Sequence, residues 1–239
     1  MIRGVVFDFD GTVVDSNEIK RRAFFEATEA FDPTGATVEA ALAAPDPGDR
    51  FDVLGRVARE LAAAGAAPPG HSAEAFGRAL AEAYGRICED AIAAADEIPG
   101  ALEALRWLEA RGVARFVSSA TPEVPLLRVV ARRGLAPWFE GIYGRPAPKT
   151  EHLAAIAERT GAAPDELLLV GDGEDDRQAA RAFGCPFAGV ARAPGGRFAA
   201  PPQHCLDDLR DLPALCERLG VAAGRTPARE EARVAARGH

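Results

Sequence analysis

Lysine is nearly missing from this chain. Of 28 basic residues only Lys20 and Lys149 are lysines, and 28 minus 2 leaves 26 arginines. Positive charge is in deficit overall, with a formal net charge of −8 and a pI near 5.1. That balance speaks against nucleic acid or an anionic membrane as partner, because both select basic surfaces. No apolar stretch approaches the roughly 18 residues of a membrane span. No basic leader followed by an apolar run opens the sequence either, since Arg3 and Asp8 bracket only a short one. Cysteine is sparse, and Cys88, Cys185, Cys205 and Cys216 have neither paired nor metal-ligand spacing. Cys185 and Cys216 fit helix patterns as small hydrophobes, which suits a reducing cytoplasm. His71, His152, His204 and His239 have no second ligand at metal spacing, so none is assigned a role. Aromatics make up only 7% of the chain against 48% hydrophobic residues, so the expected core is built mainly from Ala, Leu and Val.

What is present starts at the amino end, in Val5-Val6-Phe7-Asp8-Phe9-Asp10-Gly11-Thr12. Val5 to Phe7 read as a buried parallel strand, a continuous β-branched and aromatic run. Such strands deliver ligand-binding groups at their carboxyl ends. Two carboxylates two residues apart at that edge would repel each other and resist desolvation. A hard cation such as Mg²⁺, which prefers oxygen ligands, resolves the conflict.

Three later segments point the same way. Leu167-Leu168-Leu169-Val170 runs into Gly171-Asp172-Gly173-Glu174-Asp175-Asp176, with a helix expected from Arg177 to Phe183. Asp176 could face the same point as Asp172 from one helical turn on. Glu174 and Asp175 read as favourable first-turn residues of that helix. Val113 to Ser118 is another short strand, ending in the hydroxyls of Ser118 and Ser119, where a phosphate oxygen could be received. Lys149 stands just before a helix reaching about Thr160, a compact point charge in a chain that otherwise uses arginine.

In this order the segments resemble the haloacid dehalogenase (HAD) superfamily, specifically its phosphatase-like members. Asp8 and Asp10 fit an Asp-x-Asp-Gly-Thr first motif, Ser118 the second-strand hydroxyl, Lys149 the basic third motif, and Asp172 with Asp176 the Gly-Asp-x-x-x-Asp fourth motif. The likeness covers residues 1 to about 220. Many relatives have Asn after the second-motif hydroxyl, where this chain has Ser119. The resemblance implies phosphoryl transfer through an aspartyl-phosphate. Asp8 would be the nucleophile and Asp10 the acid and base, while Ser118 and Lys149 bind the phosphoryl oxygens. Thr12 and Ser119 are further candidates for substrate contact. Mg²⁺ would be held by the Asp8 carboxylate, the Asp10 backbone carbonyl and Asp172, with Asp176 as a further or water-bridged ligand. Without a cation, a phosphate would face up to four carboxylates, at about 4 kcal/mol per uncompensated pair at roughly 4 Å and an effective dielectric near 20. Dehalogenases of the superfamily lack the second aspartate, so Asp10 favours phosphate-ester chemistry.

The chain organisation fits an α/β core interrupted early. After the first strand, residues 15–96 read as helices. Asp15-Ser16-Asn17 offer N-caps, and helices are expected over about 36–43, 51–64 and from Ser72 or Ala73 towards Ala95. Pro99-Gly100 returns the chain to alternating helices and strands, with strands near 113–118, 141–144, 167–170 and 187–190. That alternation calls for right-handed crossovers and a parallel Rossmann-like sheet. The expected domains are a catalytic core of 1–14 plus 97–220, an all-α cap of 15–96 and a flexible tail of 221–239. The cap placement is similar to phosphoglycolate-phosphatase-like and β-phosphoglucomutase-like enzymes, where it would close over the site and exclude water.

Substrate choice is expected to reside in that cap, with Lys20 and Arg50 as candidate contacts and Arg21 and Arg22 as a solvated basic face. The resulting expectation is a Mg²⁺-dependent phosphatase of a small phosphorylated metabolite, monomeric or homodimeric. Two alternatives share the motifs: a sugar phosphomutase, and a weakly active protein that binds a phospholigand or a partner.

Overall fold

The computed structural model describes residues 1–45, 47–191, 198 and 200–221. The chain divides into two compact units, one made of Met1–Asp15 and the chain from Asp96 onward, the other of Ser16–Ala95.

In the first unit the apolar opening run forms β1 (Gly4–Phe7), fully buried as its composition requires. It is followed in that unit by α5 (Ala101–Ala110), β2 (Ala114–Pro122), α6 (Glu123–Arg132), β3 (Gly141–Arg145) and α7 (Lys149–Thr160). β4 (Leu167–Gly171), α8 (Glu174–Phe183), β5 (Phe187–Val190), β6 (His204–Leu206) and α9 (Leu212–Leu219) complete it. Among the described residues the six strands make one sheet in the order β3-β2-β1-β4-β5-β6, and every pairing is parallel. This is a Rossmann-like α/β sheet. Its strand order reverses between β1 and β4, and at such a point the loops beyond the strand ends leave a crevice.

Register decides what reaches that crevice. Phe7 is level with both Val117 and Val170, so Asp8, Ser118 and Gly171 are one residue beyond, side by side. Side chains alternate across a strand, so Asp8 shares a face with Val6 and Ser118 shares one with Phe116. Val6 and Phe116 pack with Leu167, Leu169, Leu153 and Ile156 of α7 and Ala179 and Ala180 of α8. The face that builds the core therefore ends in Asp8 and Ser118, under the first turns of α7 and α8.

The turn after β1 is closed by Gly11 N–H to the Val14 carbonyl (2.8 Å) and by Val13 and Val14 N–H to Phe9. Gly11 sits at φ +80°, which a side chain would resist. Val14 then pairs with Glu97 and the Asp15 N–H donates to Asp96, so the outgoing and returning chain run side by side. Arg133 holds the returning segment through Glu97 (2.6 Å).

The second unit contains α1 (Asn17–Thr28), α2 (Ala36–Leu42), α3 (Arg50–Ala63) and α4 (Ala73–Ala93). Its core joins Val53, Leu54, Val57 and Leu61 of α3 with Phe76, Leu80 and Tyr84 of α4, edged by Phe24 on Tyr84 and Phe31 on Phe76. Asp49 and Asp52 form a capping box for α3, and the Ser72 hydroxyl accepts from Ala75 N–H at the start of α4. Ser16 occupies the N-cap of α1, but its side chain does not cap the helix.

Several expected boundaries shift. α8 begins at Glu174 rather than Arg177, which brings Asp176 inside its first turn. β2 continues past Ser118 to Pro122 through a register shift. Edge strand β6, which opens at His204, lies outside the expected strands. Val221 pairs with Ile2, so the core extends to the first residue of the expected tail, and 222–239 lie outside the described residues. Among the described residues no helix is long and apolar enough to cross a membrane.

Leu169 is fully buried at the centre of the core cluster. Leu169→Ala should therefore cost about 2–5 kcal/mol of stability, read as a lower midpoint in chemical denaturation of the metal-free protein.

Candidate active site

The carboxyl ends of β1 and β4 gather the acidic residues. Asp8 is held by its own backbone, whose N–H donates to Val170 (2.8 Å), and its carboxylate meets Lys149 Nζ at 3.0 Å. Lys149 is the first residue of α7, with its side chain only 9% exposed. The same ammonium also pairs with the Asp176 carboxylate and reaches Asp175 at 3.3 Å. Asp176 is the third residue of α8, where its other oxygen accepts from the Gly173 N–H (3.2 Å), an acidic side chain tying down its own helix start. Gly171 makes this approach possible, because a Cβ there would overlap the Asp176 carboxyl group.

Asp8, Asp172 and Asp176 are all buried, and each can offer a carboxylate oxygen within 4.8 Å of the others. Three clustered oxygen donors suit a hard divalent cation. Buried carboxylates at this spacing are costly without one. Burial raises the pKa of Asp8 well above the ordinary carboxylate value; Lys149 opposes this, while Asp176, Asp172 and Asp10 add to it. Burial likewise pushes Asp176 up to about 6, against the pull of Lys149. Burial disfavours the charge on Lys149, but Asp8, Asp176 and Asp175 outweigh it and hold that pKa well above its ordinary value. These directions are compatible. One ammonium stays charged among three carboxylates, and the negative charge it cannot balance makes protons easier to hold.

Asp10 is buried beside this cluster, and its Oδ2 accepts from the Thr121 hydroxyl at 2.8 Å. Thr121 was not legible as a site residue. It follows the Ser118-Ser119 pair by a stretch whose irregular register no spacing announces. The Ser119 oxygen accepts from the Thr121 N–H (3.1 Å) and shapes that loop. Thr12 is fully buried, and its hydroxyl has no hydrogen-bond partner among the described residues. Ser118 is also fully buried, with its Oγ 2.9 Å from His152 Nδ1. His152, given no role above, thus sits against an expected site residue. Its place three residues after Lys149, on the same side of α7, was the available signal.

In the sheet unit the structure brings together Asp8, Asp10, Lys149, Asp172 and Asp176, with Ser118 level with Asp8 on the next strand, and Thr12 and Ser119 belong to the same unit. Lys20 and Arg50 belong to the helical unit. There Lys20 lies on α1 and Arg50 opens α3, its guanidinium over the rings of Phe51 (5.2 Å) and Tyr84 (5.7 Å). Arg21 pairs with Glu39 at 2.8 Å on the surface, as a solvated basic face should. Glu174 pairs with Arg177.

The haloacid dehalogenase-like hydrolase family matches this chain over residues 2–184. The chain is a haloacid dehalogenase-like hydrolase. Phosphoglycolate phosphatase from Rhodospirillum rubrum is 31% identical to this hydrolase over 244 residues, covering 97% of this chain and 99% of the relative. Among solved structures, that of a predicted phosphoglycolate phosphatase from Haemophilus somnus aligns with a TM-score of 0.70 at 18% identity, over 90% of this chain and 97% of that one. The HAD-hydrolase YfnB from Bacillus subtilis, solved bound to magnesium, aligns with a TM-score of 0.65 at 18% identity, over 90% and 99%.

Because the folded-state pKa of Asp176 is raised to about 6, its contribution to stability is fully present below the ordinary carboxylate value of about 4 and is lost as pH rises through 6. In chelator, thermal melting of this hydrolase should fall across that window relative to Asp176→Asn. Added Mg²⁺ should restore the wild type more at pH 7 than at pH 5.

Proposed function

We propose that this hydrolase is a Mg²⁺-dependent phosphatase of a small phosphorylated metabolite, working through an aspartyl-phosphate on Asp8. The observation that carries the reading is the buried Asp8 carboxylate, set 3.0 Å from a buried lysine and within 4.8 Å of two further buried carboxylate ligands. Asp8, Asp172 and Asp176, with the Asp10 backbone carbonyl, would hold Mg²⁺, which supplies charge neutralisation for the phosphoryl oxygens when bound.

In the first step an Asp8 oxygen forms a bond to phosphorus while the bond from phosphorus to the leaving alcohol breaks. Asp10 gives that alcohol its proton. In the second step Asp10 takes a proton from water, the water oxygen bonds to phosphorus, and Asp8 leaves with phosphate released. The Thr121 hydroxyl donates to one Asp10 oxygen and so helps to orient the carboxyl group that carries the proton. Lys149 would neutralise phosphoryl charge in a place where water cannot screen it, which is where such contacts are strongest. Ser118, Thr12 and Ser119 would line the phosphoryl end, and Lys20 and Arg50 are proposed to contribute to substrate choice.

The metabolite would be a small phosphate monoester. The relatives at about 30% identity are named for phosphoglycolate, which makes it the first substrate to try. All four cysteines are thiols rather than disulfides, which supports a cytoplasmic setting.

Phosphate release from a panel beginning with 2-phosphoglycolate, with and without Mg²⁺, tests the reading. Asp8→Asn should lower kcat by at least about a thousandfold, since it removes the nucleophile. Chelation should abolish wild-type turnover. Equal activity in Asp8→Asn would sink the assignment, and isomer formation from hexose phosphates without phosphate release would replace it with a mutase.

A further inference from the structure

Thr121 stands where β2 leaves regular pairing. Ser118 is level with Tyr143, and the register has shifted by the time Pro122 meets Arg145. Between them the chain is held from three sides. The Thr121 N–H donates to Ser119 Oγ at 3.1 Å, a local side-chain turn of the kind serine favours. The Thr121 carbonyl lies against Gly144 of β3, where a Cβ would come within 2.6 Å of that oxygen. Pro122 follows at φ −53°, locked by its ring. Threonine is β-branched and stiff about χ1, so a fixed backbone also restricts the hydroxyl. That hydroxyl donates to Asp10 Oδ2 at 2.8 Å, across 111 positions of sequence.

Asp10 needs such a partner. It is buried two residues from Asp8, and the two carboxylates repel each other. Any rotation that parts them relieves this, so the aim of Asp10 depends on what holds it. A carboxyl group carries a proton on one oxygen at most. A donor at one oxygen therefore suits both the carboxylate that takes a proton and the acid that gives one.

We propose that Thr121 is a positioning residue for Asp10, and that it fits the enzyme to alkyl phosphate monoesters, whose alcohol must be protonated as it leaves. The role rests on the phosphatase reading above. With an alkyl ester, an Asp8 oxygen bonds to phosphorus, the bond from phosphorus to the alcohol oxygen breaks, and the Asp10 proton ends on the alcohol. With acetyl phosphate the same bond to phosphorus forms, but acetate departs as the anion and the proton stays on Asp10. An acyl phosphate therefore gains little from a well-aimed acid.

First-turnover release of the leaving group at low substrate, with Mg²⁺, isolates this step. For the best alkyl ester of the panel, Thr121→Val should lower the rate about tenfold, the worth of roughly one hydrogen bond. For acetyl phosphate it should change the rate less than about twofold. Thr121→Ser keeps the hydroxyl and gives up only the stiffening methyl, so it should come within about threefold of wild type on the alkyl ester. An equal loss on both substrates, or a Ser variant no better than Val, would overturn the role. Asp10→Asn separates this from the reading beneath it. It should lose at least about a hundredfold on the alkyl ester and far less on acetyl phosphate. Equal loss there would remove Asp10 as the acid, and the role of Thr121 with it.

Crystals of Thr121→Val grown with Mg²⁺ give a reading independent of turnover. Asp10 should leave its wild-type rotamer or divide between two, and return to one in Thr121→Ser. A single wild-type rotamer in the Val variant overturns the proposal even where activity falls. Absence of any phosphate release by wild type would strike the phosphatase reading, and this comparison would then decide whether Thr121 aims Asp10.

Discussion

A single buried ammonium set among three carboxylates is the constraint from which the rest of the site follows. Lys149 can neutralise one unit of the charge that Asp8, Asp175 and Asp176 bring. Asp175 remains largely in water, where its share is screened. Asp8 and Asp176 have no such relief, and Asp172 adds a third buried carboxylate. Such an arrangement persists only where the surrounding backbone dictates it, and here it does. Strand register brings Asp8 level with Gly171, the missing Cβ at Gly171 admits Asp176, and α7 begins at the very residue whose charge is needed. The stability given up at this edge is recovered from the dry Leu, Val and Ile layer directly beneath it.

Much of this was legible beforehand. The runs at Val5–Phe7 and Leu167–Val170 are unbroken apolar stretches of the kind a doubly covered parallel sheet uses, and they lead to aspartate, directly at Asp8 and after Gly171 at Asp172. Charge identity did similar service at Lys149, since one of only two lysines in an arginine-rich chain stands out. What stayed hidden depends on contacts across the fold. Thr121 reaches Asp10 because β2 runs on irregularly beyond Ser118, and nothing in Ala120-Thr121-Pro122 signals that shift. His152 reads as one more isolated histidine, because no second ligand stands at metal spacing from it. Its partner is a hydroxyl 34 positions earlier, on a neighbouring strand. The start of α8 is ambiguous in the sequence, because the helical pattern begins at Arg177 while Glu174 and Asp175 suit a first turn, and the helix begins at Glu174.

The helical unit shows the reverse balance. Its helices follow from local periodicity and caps, with Asp49 and Ser72 doing what their residue types favour. Yet the same sequence says little about recognition. Arg50 lies over two aromatic rings of its own unit, an arrangement that fixes the guanidinium without declaring what it is fixed for.

The central position of β1 carries a consequence for how the molecule is made. It leaves the ribosome ahead of the rest of the sheet, and its two neighbours, β2 and β4, begin only at Ala114 and Leu167. Between them comes a helical unit whose contacts are mostly local and which can therefore collapse early. The nascent chain must keep a wholly apolar strand unpaired while a complete helical body forms behind it. The vulnerable interval in the life of this hydrolase lies in its synthesis, before the residues that make it an enzyme have met.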